Sequence, residues 1–179
     1  MTSTTRPDLQ LSPNFWLSEF EDSQTATRHG LRNEASPTEI IQLTRLALRL
    51  ELVRTLLGDP PIVISSGLRT MIVNGLVTQI IEPAEIPLLS RRPDLMKRLR
   101  GQGSDHMDGL AADVKAPKFG SPRKIVERIM HSTIPFSQLI FEGTWVHFAI
   151  EEAGETPKRQ VLTAVFEQGK KTRYLPGLV

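Results

Sequence analysis

In the stretch QLIFEGTWVHFAI, residues 138–150, two apolar runs flank Gly143-Thr144. A glycine at the first of two loop positions is the signature of a type II′ hairpin, which needs φ > 0 there. Closed at that point, the hairpin has a single register: Glu142 opposite Trp145, Phe141 opposite Val146, and Ile140 opposite His147. Side chains alternate along a strand, so Glu142, Trp145 and His147 then share one face. Diagonal neighbours across such a pair have Cβ atoms ~7–8 Å apart. That spacing suits a ligating histidine beside a carboxylate. It equally suits a core histidine packed against tryptophan, with Glu142 as a turn residue.

A second stretch, SDHMDGLAAD at 104–113, sets His106 seven residues before Asp113. Extended, the two would lie ~23 Å apart and point to opposite faces. In a helix they would share a face yet be separated by a rise of ~10 Å. They can meet on one ligand only if the chain bends, and Gly109 permits the bend. Taken alone, the stretch is either such a bend or a turn carrying an exposed histidine.

The surrounding pattern predicts an α+β domain: a small antiparallel-rich sheet with helices packed on one side. Ser36, Pro37 and Glu39 open a helix that Gly58 closes, with Ile40, Leu43, Ala47, Leu50 and Leu57 on its apolar stripe. PPIVISSGLR predicts a short buried strand over 62–66, and GLAADV a second buried strand. Ser121-Pro122 start another helix, and 138–150 with RQVLTAVFEQG supply the last strands. Residues 78–103 read as a long excursion holding a short helix, with Arg91, Arg92, Lys97, Arg98 and Arg100 on a solvated face. We expect one domain over 1–179, with mobile ends at 1–11 and 168–179, and Trp16 and Phe20 as core contacts. His29 and His131 are expected at the surface or at helix ends.

The chain has no cysteine, which excludes disulfides, thiolate metal sites and a cysteine nucleophile. A metal site must therefore use histidine and carboxylate. The net charge of +2 and pI of about 9.1 favour approach to an anionic polymer without indicating nucleic acid. No apolar run suits a signal peptide or a membrane span, so synthesis in the cytoplasm without stable membrane insertion is expected.

SDHMDGLAAD fits S-x-H-x-x-G-x-A-x-D position for position, ISSGLRT precedes it, and WVH follows. Together these resemble the zinc D-alanyl-D-alanine carboxypeptidase and L-alanyl-D-glutamate endopeptidase family, which shares its fold with the hedgehog signalling domain. The resemblance runs over roughly residues 12–150, and LSEFEDSQTAT is similar to phage-type members. It implies that His106, Asp113 and His147 bind one Zn2+, leaving a fourth position for water, the pattern of a catalytic site. A zinc ion so held acidifies water and polarises a carbonyl. Arg69 matches the arginine used on substrate, and Ser104 the motif serine that contacts substrate or orients the site.

The sequence departs from the family at the general base. Several members carry an acidic residue three positions before the last histidine, where this chain has Thr144. Glu142 takes the role on the hairpin argument, with Asp108 and Asp105 as fallbacks. The resemblance implies a monomeric peptidase acting on peptidoglycan stem peptides or cross-links, as carboxypeptidase or endopeptidase. Acting outside the membrane without a signal peptide, it would need a holin-type delivery partner or be virion-associated. The alternative is a catalytically inactive zinc-containing domain, binding cell wall or serving the virion, which Thr144 would explain. A basic nucleic-acid-binding domain would rest on the Arg91–Arg100 cluster alone. The excursion beside the zinc-binding stretch is expected to act as a lid or wall-recognition segment.

Overall fold

A computed structural model describes residues 6–179. The chain begins with a small hairpin, β1 (Gln10–Ser12) and β2 (Phe15–Trp16), and two short helices, α1 (Leu17–Glu21) and α2 (Gln24–Arg28). The long helix α3 (Pro37–Leu56) follows, then β3 (Val63–Ser66) and α4 (Met71–Val77). A 3-10 helix (Pro83–Leu88) and α5 (Pro93–Arg100) make up the excursion. The rest comprises β4 (Ala111–Lys115), α6 (Pro122–Met130), β5 (Gln138–Phe141), β6 (Val146–Ala149), β7 (Gln160–Val165) and β8 (Arg173–Pro176).

The helix starts follow from their capping residues. Ser36 Oγ accepts from Glu39 N, and the Glu39 carboxylate accepts from Ser36 N at 2.6 Å, a reciprocal cap with Pro37 in the first turn. Ser121 Oγ caps α6 by accepting from Lys124 N, without the reciprocal bond. His29 and His131 are the C-terminal caps of α2 and α6.

The main sheet has the order β3-β4-β6-β5-β7-β8 and is antiparallel except for the β5–β7 pair. One face is covered by α3 and α6. Leu43, Leu46, Leu50, Ile125 and Ile129 pack there against Ala112, Val114, Leu139, Val146 and Phe148. The alternate residues of the same strands, Asp113, Ile140, His147 and Leu162, point to the other face and line a cleft. The expected α+β architecture is the one found.

Some expectations need correction. The strand at 63–66 is an edge strand and not a buried one: Val63 is 49% exposed, because only β4 pairs with it. Phe20 is in the core, but Trp16 is 42% exposed. Residues 71–77, given no element above, form α4. Within the two ends expected to be mobile, Gln10–Ser12 form β1 and Arg173–Pro176 form β8, which pairs with β7 in register Ala164↔Tyr174. Thr163 Oγ1 donates to Gly177 O, and Gly177 N donates to Val161 O, fastening that last strand.

Candidate metal centre

The site is assembled from two loops and two central strands. Gly109 ends the 104–109 loop with φ +69, and a side chain there would press on Glu39 O at 3.0 Å and Leu43 Cγ at 3.2 Å. The bend foreseen between His106 and Asp113 thus sits against α3, where only glycine fits. Asp113 lies in mid-β4, directly opposite His147 in β6. The hairpin register is the expected one, Ile140↔His147 and Phe141↔Val146, closed by Glu142 N donating to Trp145 O across Gly143 at φ +72.

All three residues are buried, and one donor atom of each converges on a point. His106 Nε2 is 3.2 Å from His147 Nδ1, His147 Nδ1 is 3.1 Å from Asp113 Oδ1, and His106 Nε2 is 3.3 Å from Asp113 Oδ1. Bonds of ~2.0–2.1 Å from a tetrahedral ion would put its donors about 3.3 Å apart. The trio therefore has the donor chemistry and nearly the spacing of three corners of a tetrahedron. The His106 tautomer is set from outside: Nδ1–H donates to Gly67 O at 2.7 Å, leaving Nε2 its lone pair for the centre.

The ISSGLRT loop supports this arrangement. Arg69 N donates to His106 O, reciprocating the bond from His106 to Gly67. Asn33 grips the same loop, donating to Leu68 O and accepting from Thr70 N. Arg69 Nε donates to Ser66 Oγ, and Nη2 donates to Asp113 Oδ2 at 2.7 Å. Asp113 thus divides its oxygens, Oδ1 to the histidines and Oδ2 to the guanidinium. Nη1 of Arg69 has no hydrogen bond among the described residues.

Charge balance follows from burial. Burial pushes the Asp113 carboxyl up, but hydrogen bonds to His106 and His147 outweigh it and hold the group well below the usual carboxylate range. His106 is pushed down, chiefly by burial and against the pull of Asp113. Glu142 is pushed up, first by burial and then by the negative charge of Asp113. Its Oε2 accepts from Trp145 Nε1 at 2.7 Å, leaving Oε1 without a hydrogen-bond donor among the described residues.

The cleft has a volume of about 510 Å³ and brings together Arg69, Ser104, His106, Asp113, Glu142 and His147. Asp105 and Asp108 line its rim, whereas Thr144 sits at the exposed tip of the hairpin outside it. Tyr174, within the end expected to be mobile, also lines the cleft. Its one available signal was the alternation Arg173-Tyr174-Leu175, too short to announce a strand.

Residues 13–78 match the family model described as Peptidase M15. The match covers a little over a third of the chain. The matched stretch carries Ser66 and Arg69 but ends before His106, so it is independent of the motif at 104–147. None of the curated proteins matches the chain. A partial match to a peptidase family and a buried His-Asp-His group that could hold a metal ion are two agreeing observations.

Proposed function

We propose that the protein is a zinc metallopeptidase hydrolysing a peptide bond of peptidoglycan stem peptides or their cross-links, as carboxypeptidase or endopeptidase. The convergence of His106 Nε2, Asp113 Oδ1 and His147 Nδ1 in a cleft that also holds Glu142 carries the reading. Two histidines and one carboxylate with no thiolate suit Zn2+. Bound there, zinc would acidify a water and polarise the scissile carbonyl.

The chain's own residues do the rest. Glu142 Oε1 takes the proton of the attacking water and passes it to the leaving amine, while the Trp145 indole holds Oε2. Burial and the negative charge of Asp113 raise the affinity of Glu142 for protons above that of an ordinary carboxylate, which suits a group that must accept one. Arg69 orients Asp113 through Nη2 and offers Nη1 to a substrate carbonyl or carboxylate. Ser104 lines the entrance and presents a hydroxyl to the peptide. The protein works as a monomer without nucleic acid and reaches the wall after release through a holin-type partner, or from a virion. No described helix is long and apolar enough to cross a membrane.

One observation favours a second reading, an inactive zinc-containing wall-binding or virion domain. Thr144 stands where several family members carry the acid, and it points away from the cleft. Mass spectrometry of purified peptidoglycan digested with and without a chelator separates the two. Fragments formed only without chelator are expected, and their new termini name the bond. A zinc-loaded protein that releases nothing would overturn the peptidase reading in favour of the binding domain.

A further inference from the structure

The sheet continues beyond the hairpin that carries Glu142 and His147. β7 lies parallel to β5 in register Phe141↔Thr163, so Ala164 is level with Glu142 one strand over. Across β7, Tyr174 of β8 is the partner of Ala164. Tyr174 therefore stands in the same row and on the same face as Glu142, two strand spacings or ~10 Å away at the backbone. The residue between them is a small alanine, which leaves the phenol ring room to lie back over the sheet toward the metal ligands.

The electrostatics agree with that placement. Burial, then the negative charges of Glu142 and Asp113, raise the Tyr174 hydroxyl above its ordinary value, and Arg69 pulls it the other way. The ring is half exposed and lines the cleft, and its hydroxyl makes no hydrogen bond to any described residue. The strand that presents it is anchored: Val179 N donates to Thr163 Oγ1, Arg123 Nη1 donates to Val179 O, and Leu178 packs on the core. An anchored strand thus holds a phenol hydroxyl, free of any described protein partner, where a molecule in the cleft can accept from it.

We propose that Tyr174 is a substrate-contacting residue: its ring walls the cleft opposite Arg69, and its hydroxyl donates to a backbone carbonyl of the bound peptide. The assignment rests on the peptidase reading for the identity of that peptide. A neutral phenol donor suits a neutral carbonyl, while the guanidinium across the cleft suits a carboxylate.

Tyr174 is the chain's only tyrosine, so tyrosine labelled with 13C at Cζ gives a single resonance. The zinc-loaded full chain is titrated with a cross-linked dimer of the stem peptide L-Ala-D-γ-Glu-L-Lys-D-Ala-D-Ala, which offers stem bonds and a cross-link together, and turnover is followed in parallel. The resonance should move on titration, both in the wild type and in E142Q. Y174F should raise KM about three- to tenfold with kcat little changed, the effect of one neutral hydrogen bond lost from substrate and transition state alike. Cleavage with a stationary resonance and an unchanged Y174F would overturn the assignment and leave the peptidase reading standing. A moving resonance without cleavage would sustain the contact and sink the peptidase reading. Neither shift nor cleavage would overturn both.

Discussion

Two regions of the molecule bury apolar side chains in different ways. The main core joins α3 and α6 to the central strands and extends from Leu11 to Ile150. The excursion has a core of its own, Ile81, Leu89, Leu95 and Leu99, with partly buried Met71, Ile72 and Leu76 of α4 against it. They meet along α4, where Asn74 Nδ2 donates to Gln102 Oε1 and a side chain at Gly75 would run into Leu99 Cδ2 at 2.3 Å. The candidate metal ligands stand on the first region alone. Of residues 78–103 only Thr78 and Gly103 line the cleft, and none of the five basic residues does. Chemistry and any wall recognition by the excursion are thus built on separate cores, and should be separable by mutation.

The largest effect should come from the ligands. Alanine at His106, Asp113 or His147 should reduce bound zinc from one per chain to near zero by elemental analysis. Activity should fall by three orders of magnitude or more, ~4 kcal/mol of transition-state stabilisation. Protease resistance of the excursion should persist; its loss would show that the two regions are one cooperative unit.

Next comes Glu142→Gln, expected to lower kcat/KM about 10²–10⁴-fold with zinc retained. A base must be deprotonated to work, and this carboxyl is raised from the ordinary 4.5. The acidic limb of the pH–rate profile should therefore lie above that value and vanish in the variant. A limb unchanged in Glu142→Gln would transfer the role to Asp108 or Asp105.

Leu99→Ala sharpens the comparison from the other side. Losing a fully buried leucine costs about 2–5 kcal/mol, here confined to the small core. Limited proteolysis should cut within 78–103 while zinc content and turnover of a short peptide survive. Digestion of intact wall should weaken more than that of the peptide, and equal losses would remove the recognition role.

The smallest effect is expected at Glu51, which ties the N-terminal hairpin to α3. Its Oε1 accepts from Ser12 Oγ and Asn14 N, and Oε2 accepts from Asn14 Nδ2. Burial opposes its ionisation, but these bonds outweigh burial and lower its pKa. A depressed carboxyl lends stability above its unfolded value that disappears as pH falls through the folded one. Glu51→Ala should cost about 1–2 kcal/mol in denaturant unfolding near neutral pH, without touching zinc. The deficit should shrink in acid.

The same division marks what could be read from the sequence. The hairpin register, the bend at Gly109 and the capping of α3 are local: each depends on residues within a few positions, and each could be worked out beforehand. The α+β class followed from the order of such elements. Three features depended on distant partners and were missed. Val63 looks like a core residue until one knows that β3 has a neighbour on one side only. The apolar residues of 78–103 are spaced irregularly because they satisfy one another and not a periodic face. Tyr174 enters the cleft through pairing with β7, and its own neighbours say nothing of that. Arg69 was legible as a residue of the site, but its bond to Asp113 Oδ2 was not.

The three buried donors have a consequence for how much folded protein exists. They come from chain positions up to 41 residues apart and meet only in the native state. An ion that binds them and ignores the unfolded chain stabilises by RT ln(1 + [ion]/Kd), about 2.7 kcal/mol at one hundred times Kd. The melting temperature would then become a reading of the free ion in the surroundings. A cell poor in the metal would hold a less stable protein as well as a less active one, and the two deficits would rise and fall together.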